Sequence, residues 1–310
     1  MRPEAQRCVA ARMDALRAAY NDRPPLAADL DRFERARAVR SSFPEFPPHP
    51  AGRDLVIHDV PCRVFVPAHS RPRAVYVHLH GGGMVLGTPL MNDHGNAALA
   101  ERHCVAVVSV GYRTAPEHPH PAGIDDVVSI LSWVLAHAGD EFDTHDLIVG
   151  GESAGSYLAV MALVQLREAG VDLRNIRGAK LSYGVYDWGR SGATRQGAIL
   201  DAGSSDFFRD CYLPDRTDDE RRDPSISPLH ADLHGLVPAF VSVGTEDHLL
   251  DDSLGLAARW AAAGNEVELF VLPDLPHAFE MYDCGITAAC AAAQAAWFDT
   301  RLSTVAHDHA

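Results

Sequence analysis

The amino-acid sequence predicts an α/β fold in which a mostly parallel central sheet is covered by helices on both faces. After about residue 54, short apolar runs rich in β-branched residues alternate with longer segments of helical periodicity. This repeated strand, helix, strand order is typical of a parallel sheet with helices on both sides. The length of 310 residues is enough for one large α/β domain with an appendage or for two ordinary domains.

The first 50 residues differ from the rest and are predicted to form a separate helical segment. Apolar side chains recur at helical spacing over residues 3–20, which predicts an amphipathic helix. A second helical stretch, "LAADLDRFERARAVRSS", follows a Pro-Pro break, and "FPEFPPHPAG" then ends regular structure.

The predicted strands are seven apolar runs, in the order "CRVFVP", "RAVYVHLH", "CVAVVSVGY", "DLIVGGES", "AKLSYGVY", "PAFVSVGTED" and "EVELFVLPD". Helices are predicted between and after them, near residues 92–102, 122–138, 155–169, 251–264 and 286–302. Residues 187–225 interrupt this alternation, because the interval is too long and irregular for one crossover helix. An insertion of that size in a compact domain usually belongs to a lid or a binding site.

The composition argues against two classes of partner. A formal net charge of -15 opposes binding to nucleic acid or to an anionic membrane surface, since either would need a basic patch. The sequence has no apolar run long enough to span a bilayer, and its N-terminus does not resemble a signal peptide. The six cysteines are scattered without a CxxC pair, which favours reduced thiols. We therefore expect a cytoplasmic protein without membrane insertion.

The strongest chemical signal is "GGESAG" at residues 150–155, which follows the apolar strand "DLIV" and leads into a helical segment. Gly151 to Gly155 satisfy the G-x-S-x-G pattern in the context of strand, sharp turn and helix that the pattern requires. Small residues flank Ser153 because the turn is strained and bulk would collide with the neighbouring strand. The motif predicts Ser153 as a catalytic nucleophile.

A nucleophilic serine needs a general base, and that base needs an orienting carboxylate. After a G-x-S-x-G turn both follow in the order Ser, Asp or Glu, His, on loops after late strands. Asp247 in "FVSVGTEDHLLDDS" and His277 in "LFVLPDLPHAFEMY" satisfy this order. Competing neighbours of Asp247 are Glu246, His248, Asp251 and Asp252. The last two begin a helix, where acidic residues are common.

Three consecutive glycines follow the apolar run "AVYVHLH" in the segment "HGGGMVLG". A tetrahedral intermediate carries negative charge on its oxygen, which backbone N–H groups stabilise by about 3 kcal/mol per donor. One donor is the residue after the nucleophile, here Ala154, and the others come from a loop after an early strand. The glycine triplet is therefore predicted to supply the remaining donors.

The histidines of "EHPHP" at residues 117–121 raise the alternative of a metal site. That stretch has no third ligand at a suitable spacing. We predict neither a metal nor an organic cofactor, because serine-based acyl transfer requires none.

These residues together resemble the hormone-sensitive-lipase-like branch, bacterial family IV, of the α/β-hydrolase superfamily, over roughly residues 60–303. The resemblance rests on six motifs in order: "HGGG" at 80–83, "YRTAPEHPHPAGIDD" at 112–126, "GESAG" at 151–155, "SPL" at 227–229, "GTEDHLLDDS" at 244–253 and "PHAF" at 276–279. It implies the α/β-hydrolase fold and the activity of an esterase or acetyl hydrolase.

The resemblance also implies a role for each matching residue. Ser153 is the nucleophile, His277 the general base and acid, and Asp247 the residue that orients the histidine. The implied oxyanion donors and the residues that support their loop are Gly82, Gly83 and Ala154, and His80 and Gly81.

Members of this family build a cap over the active site from an N-terminal helical segment and an insertion after the sixth strand. This implies a cap segment at residues 1–50 and a catalytic domain at residues 51–310 with a cap insertion at about 187–225. The chain departs from the family pattern at Met84, Thr114, Glu152 and His248, where an aromatic residue, leucine, aspartate and proline are usual. The substrate-pocket candidates, for which ordinary core packing is the alternative, are Met84, Tyr157, Trp188, Phe207 and Phe208.

The predicted function is hydrolysis of small or short-chain acyl esters through an acyl-enzyme, with deacetylation of a natural product or sugar as one form of it. The alternative is a non-hydrolytic enzyme that uses the same Ser-His-Asp site for elimination, cyclisation or acyl transfer. The expected partner is a small-molecule ester, and the N-terminal helices leave a homodimer open.

Overall fold

The computed structural model describes residues 30–42, 44–190 and 202–303, together with the isolated residues 10, 11 and 14. The helix predicted for residues 3–20 lies outside the described residues except at those three positions, which are helical. Residues 191–201 of the predicted insertion also lie outside them. The division into a cap segment and a catalytic domain stays a prediction.

An eight-stranded sheet forms the centre of the described part of the chain. Its strands are β1 (Arg53–Ile57), β2 (Val60–Phe65), β3 (Val75–Leu79), β4 (Ala106–Val110), β5 (Leu147–Glu152), β6 (Ile176–Ser182), β7 (Ala239–Gly244) and β8 (Val267–Leu272). Across the sheet they run in the order β1-β2-β4-β3-β5-β6-β7-β8. Strand β2 pairs antiparallel with β1 and β4, and the other neighbours pair parallel. The mostly parallel sheet predicted from the sequence is confirmed.

Burial explains which strands the sequence reveals. Every residue of β3 and β4 is buried, because parallel strands at the centre are covered on both faces. Strand β1 is at the edge, and three of its five residues are exposed. The segment "RDLVI" therefore carries too short an apolar run to be recognised, and β1 is absent from the seven predicted strands.

Helices cover both faces of the sheet, as predicted. The described residues contain α1 (Arg32–Ser41), α2 (Asp93–His103), α3 (Ala122–Phe142), α4 (Ala154–Glu168), α5 (Ala202–Tyr212), α6 (Asp218–Arg221), α7 (Leu250–Ala262) and α8 (Gly285–Ser303). Apolar side chains of α3, α4 and α7 share a core with Val75 and Val77 of β3. Those of α2 and α8 share a second core with Tyr76, on the opposite face. Alternate residues of one strand therefore face the two helical layers.

The two helices α1 and α5 contact each other and reach the loop that follows β3. Arg40 of α1 donates from Nε to the carbonyl oxygen of Val85 at 2.9 Å, and Phe208 of α5 lies against Gly83. Arg35 of α1 also lies over the Phe207 ring, 4.6 Å from its centroid. Both helices therefore lie at the carboxyl end of β3, beside the loop that follows it. Of the helices described above, none has the length and apolar character needed to cross a membrane.

Candidate active site

Ser153 occupies a sharp turn between the end of β5 and the start of α4. Its backbone has φ 55° and ψ −116°, a strained conformation for a residue with a side chain. A Cβ added to Gly155 would collide with the carbonyl oxygen of Leu79 on the neighbouring strand. The small residues of the motif thus allow the turn to sit directly on the sheet, and the turn lifts Ser153 Oγ away from it.

The structure brings Ser153, His277 and Asp247 into one hydrogen-bonded series. His277 Nε2 lies 3.0 Å from Ser153 Oγ, and His277 Nδ1 lies 3.0 Å from Asp247 Oδ2. Asp247 is completely buried, and its Oδ1 also accepts the Leu249 backbone N–H at 2.8 Å. A carboxylate beside Nδ1 fixes the tautomer that leaves Nε2 free to accept the serine proton.

The acidic residues near Asp247 in the sequence do not take its place beside His277. The Glu246 side chain is exposed. Asp252 is buried, and its Oδ2 accepts the backbone N–H groups of Tyr186 and Asp187 at 2.7 and 2.9 Å. Asp252 therefore holds the segment after β6, and Asp247 is the carboxylate that contacts the histidine.

The glycine loop, residues 80–88, runs beside the serine turn. The position that a Cβ would take at Gly81 lies 3.6 Å from Ser153 Cβ. Gly82 and Gly83 have φ of 124° and 61°, and the Val85 and Leu86 N–H groups both donate to the Gly82 carbonyl. Positive φ at two successive positions turns the chain tightly, which glycine allows without strain.

Ala154 directly follows Ser153 in the chain. It is the first residue of α4, so its N–H is one of the amide donors that a helix leaves unpaired at its N-terminus. Gly81 brings the glycine loop next to Ser153. The role of Gly82, Gly83 and Ala154 as oxyanion donors stays a prediction.

His80, the first residue of the glycine loop, stabilises the loop through its neutral side chain. Its Nδ1–H donates to the Gly81 carbonyl at 2.8 Å, and the Tyr112 hydroxyl donates to the His80 carbonyl at 2.7 Å. The two rings stack with centroids 4.3 Å apart. Burial lowers the pKa of His80 to about 4, so the imidazole stays uncharged at neutral pH.

Four of the five pocket candidates are buried, and Phe208 is partly buried. Phe208 packs against Gly83, next to the glycine loop, whereas the Met84 methyl group points toward Gly123 at the start of α3. Tyr157 and Trp188 pack with Tyr212 in an aromatic cluster, with ring centroids 5.1 to 6.0 Å apart. Their contact with a substrate stays a prediction.

Behind the serine turn lies a chain of polar side chains that the sequence motifs did not predict. Lys180 Nζ lies 3.4 Å from Glu152 Oε1 and 3.2 Å from Glu280 Oε1, and Glu152 Oε2 lies 3.0 Å from His78 Nε2. Burial opposes ionisation of Glu152, but His78 and Lys180 outweigh it and hold its pKa below the usual range. Burial likewise opposes the charge on Lys180, and Glu280 and Glu152 reverse that effect and raise its pKa. The available signal was a lysine inside the apolar strand run "AKLSYG".

The histidines of the "EHPHP" stretch do not form a metal centre in the structure. Over residues 30–42, 44–190 and 202–303, no group of three or more His, Cys, Asp or Glu side chains is arranged to hold a metal ion. His120 instead contacts the Tyr212 ring edge-on, at a centroid distance of 5.6 Å.

The fold and this site define a serine hydrolase. A family model for the alpha/beta hydrolase fold matches residues 76–281. Carboxylesterase NlhH of Mycobacterium tuberculosis is 35% identical over 248 residues, which cover 76% of this chain and 75% of that protein. An acetyl-hydrolase of Streptomyces hygroscopicus is 32% identical over 224 residues, covering 70% and 71% of the two chains.

Solved structures agree with these sequence relatives. The crystal structure of a hormone-sensitive lipase from a metagenome library superimposes with a TM-score of 0.80 and 26% identity, covering 94% of this chain and 98% of that chain. The chain belongs to the α/β-hydrolase fold family, in its hormone-sensitive-lipase-like esterase branch.

Proposed function

We propose that this serine ester hydrolase cleaves small or short-chain acyl esters, with Ser153 as nucleophile. Ser153 Oγ attacks the ester carbonyl while His277 Nε2 takes the hydroxyl proton, and Asp247 stabilises the resulting imidazolium. The oxyanion of the tetrahedral intermediate accepts hydrogen bonds from the backbone N–H groups of Gly82, Gly83 and Ala154. The C–O bond of the ester then breaks, and the alcohol leaves with the proton from His277.

The second half of the reaction releases the acyl group. His277 takes a proton from water, and the hydroxide attacks the Ser153 acyl ester. The new oxyanion accepts hydrogen bonds from the same backbone N–H groups. Collapse of this intermediate returns the proton to Ser153 and frees the carboxylic acid. The same imidazole therefore acts as base and acid in both halves.

One observation carries this proposal: His277 bridges Ser153 Oγ and the completely buried Asp247 carboxylate, with both contacts close to 3.0 Å. A serine hydroxyl in contact with an oriented imidazole is the arrangement that acyl transfer requires. The short acyl group is supported by the relatives named as a carboxylesterase and an acetyl-hydrolase.

The test is hydrolysis of a p-nitrophenyl ester series from acetate to palmitate. Ser153→Ala is expected to lose at least about 10⁴-fold in kcat while keeping its fold. Ser156→Ala is the matched control, because Ser156 lies three residues further on and its hydroxyl contacts Tyr186 at 2.7 Å, not His277. Ser156→Ala is expected to keep its activity, and turnover by this variant and by the wild type should be greatest for the short acyl chains.

Two results would contradict the proposal. Substantial turnover by Ser153→Ala would remove the serine mechanism. A folded wild type that hydrolyses none of the esters, but whose Ser153 reacts with a fluorophosphonate, would favour a non-hydrolytic reaction at the same site. The cytoplasmic location expected from the cysteines belongs to this proposal too, and cell fractionation tests it.

A further inference from the structure

Lys180 occupies an unusual position for a charged side chain. It lies in the middle of β6, and only 8% of its side chain is exposed. A buried ammonium group is tolerated when carboxylates surround it. The two carboxylates that do so, Glu152 and Glu280, flank the candidate catalytic residues: Glu152 precedes Ser153, and Glu280 follows His277 by three positions.

Glu152 is fixed from its other side as well. His78 Nε2 contacts Glu152 Oε2 at 3.0 Å, and His78 Nδ1 in turn lies 3.0 Å from Ser109 Oγ. The Glu152 side chain has only 12% of its surface exposed. The end of β5, which leads into Ser153, is therefore held in the sheet by side chains from β3, β4 and β6.

Glu280 is attached to the same part of the sheet. Its Oε1 accepts the Ser182 hydroxyl at 3.0 Å, and its Oε2 accepts the Tyr183 hydroxyl at 3.2 Å. The Ser182 carbonyl accepts the Ser153 backbone N–H at 2.9 Å. Ser182 thus contacts both the serine turn and the segment that carries the histidine.

The segment that carries His277 needs such an attachment. The histidine loop, residues 273–281, follows β8, an edge strand with Leu269 and Val271 exposed. Tyr183, which donates to Glu280, also packs edge-on against the His277 ring at a centroid distance of 4.9 Å. Glu280 therefore orders both the loop and the ring that contacts the imidazole.

We propose that Lys180 and Glu280 are positioning residues that set the distance between Ser153 Oγ and His277 Nε2. The two atoms lie 3.0 Å apart although their residues are 124 positions apart in the chain. The Lys180 ammonium contacts Glu152, which precedes the serine, and Glu280, which follows the histidine. It therefore holds the serine and histidine segments in a fixed position relative to each other. This inference rests on the proposed serine mechanism, because a fixed serine–histidine distance matters only if the proton passes between them.

The test compares Glu280→Ala and Glu280→Gln with the wild type on p-nitrophenyl acetate and on fluorophosphonate labelling of Ser153. Glu280→Ala is expected to lower kcat and the labelling rate about tenfold while KM stays within about twofold, because misplacement of a base slows chemistry more than binding. Glu280→Gln keeps an acceptor for Ser182 or Tyr183 but loses the ion pair, so its loss should be smaller.

The control is an ion pair at the other end of the same strands. Arg177 at the start of β6 pairs with Asp146, which precedes β5. Arg177→Met removes a partly buried ion pair without touching the serine or the histidine segment. It is expected to lower stability and to leave kcat and the labelling rate unchanged.

A double-mutant cycle tests whether the two residues act as a pair. Lys180→Met should also lower kcat. The double variant Lys180→Met with Glu280→Gln should have a kcat little below that of Lys180→Met alone, because both substitutions remove the same Lys180–Glu280 ion pair. Wild-type kcat in the folded Glu280 variants, additive losses in the cycle, or an equal loss in Arg177→Met would overturn the proposal. A wild type that labels at Ser153 but does not hydrolyse esters would contradict only the proposed function, because the labelling rates still report the positioning.

Discussion

The glycine loop and the histidine loop both reach Ser153, and they differ in the contacts that they make next to it. At the glycines themselves the contacts come from neutral groups, namely the stacked rings of His80 and Tyr112 and the backbone hydrogen bonds at Gly82, and the charged Arg40 contacts the loop further on, at the Val85 carbonyl. The histidine loop is held by charge, through Asp247 at the imidazole and Glu280 on Lys180.

The proposed mechanism explains this difference by the charge that each loop meets during the reaction. The glycine loop faces an oxygen that becomes negative, and neutral amide dipoles stabilise it without a side chain that must be desolvated. The histidine loop carries a ring that becomes positive, and a buried carboxylate stabilises it. Each side of the site therefore has the electrostatics that its own half of the charge separation requires.

The largest expected effect comes from removing the charge beside the imidazole. Asp247→Asn is expected to lower kcat for p-nitrophenyl acetate by about 10⁴-fold, because an amide there favours the wrong tautomer and cannot stabilise the imidazolium. Steady-state kinetics at several pH values measures this.

Glu246→Gln is the matched control, since it removes a charge from the adjacent, exposed residue. It is expected to keep kcat near the wild-type value. If Glu246→Gln loses activity and Asp247→Asn does not, the acidic member of the site is the neighbouring residue.

The next largest effect on kcat is expected from adding a methyl group in the glycine loop. Gly82 has φ 124°, and a Cβ there would collide with the Leu86 carbonyl. Gly82→Ala is expected to move the predicted donors and lower kcat about 100-fold, with a smaller change in KM. Gly95→Ala controls for the added methyl group, because Gly95 lies in α2 with no atom within 4 Å of its Cβ position. Equal kcat values for the two variants would remove Gly82 from the oxyanion site.

The smallest expected effect is on the pH dependence of the free energy of unfolding, and it tests whether His80 in the glycine loop is neutral. His80 has a pKa of about 4 in the folded protein, below the value of about 6.5 expected when unfolded. The unfolded chain therefore binds the proton first, so stability falls as the pH drops below about 6.5, and the loss is complete below the folded pKa. Between about pH 7 and about pH 5, this should cost the wild type about 2 kcal/mol.

His80→Asn removes the titrating group, so its free energy of unfolding should change less over that interval. Urea unfolding of both proteins at the two pH values measures the difference. A parallel decline in wild type and variant would mean that His80 is not held neutral by burial.

Much of the fold could be predicted from the sequence because its signals are local. The strands buried on both faces appear as continuous apolar runs, and the helices between them show regular periodicity. Strand β1 shows neither signal, since most of it faces solvent. The serine motif was recognisable for a related reason: a strained turn on the sheet demands small residues at fixed spacing, and Gly155 has no room for a side chain.

The polar contacts behind the site could not be predicted in that way. Lys180 and Glu280 are 100 positions apart, and no local pattern links them. The lysine in an apolar run indicated that a partner must exist, but which carboxylate supplies it depends on how the strands are ordered.

The sequence by itself determined the class of fold, the serine turn and the glycine loop, because each depends on residues close together in the chain. It also determined the order of Ser153, Asp247 and His277, because each of them follows its own local strand signal. Only the tertiary structure decided that Asp252 holds the segment after β6, and that one lysine connects the serine and histidine segments. The lysine contacts depend on the position of β6 beside β5 and β7, which brings side chains distant in sequence together. Burial makes an unpaired charge costly, which explains why carboxylates surround the Lys180 ammonium.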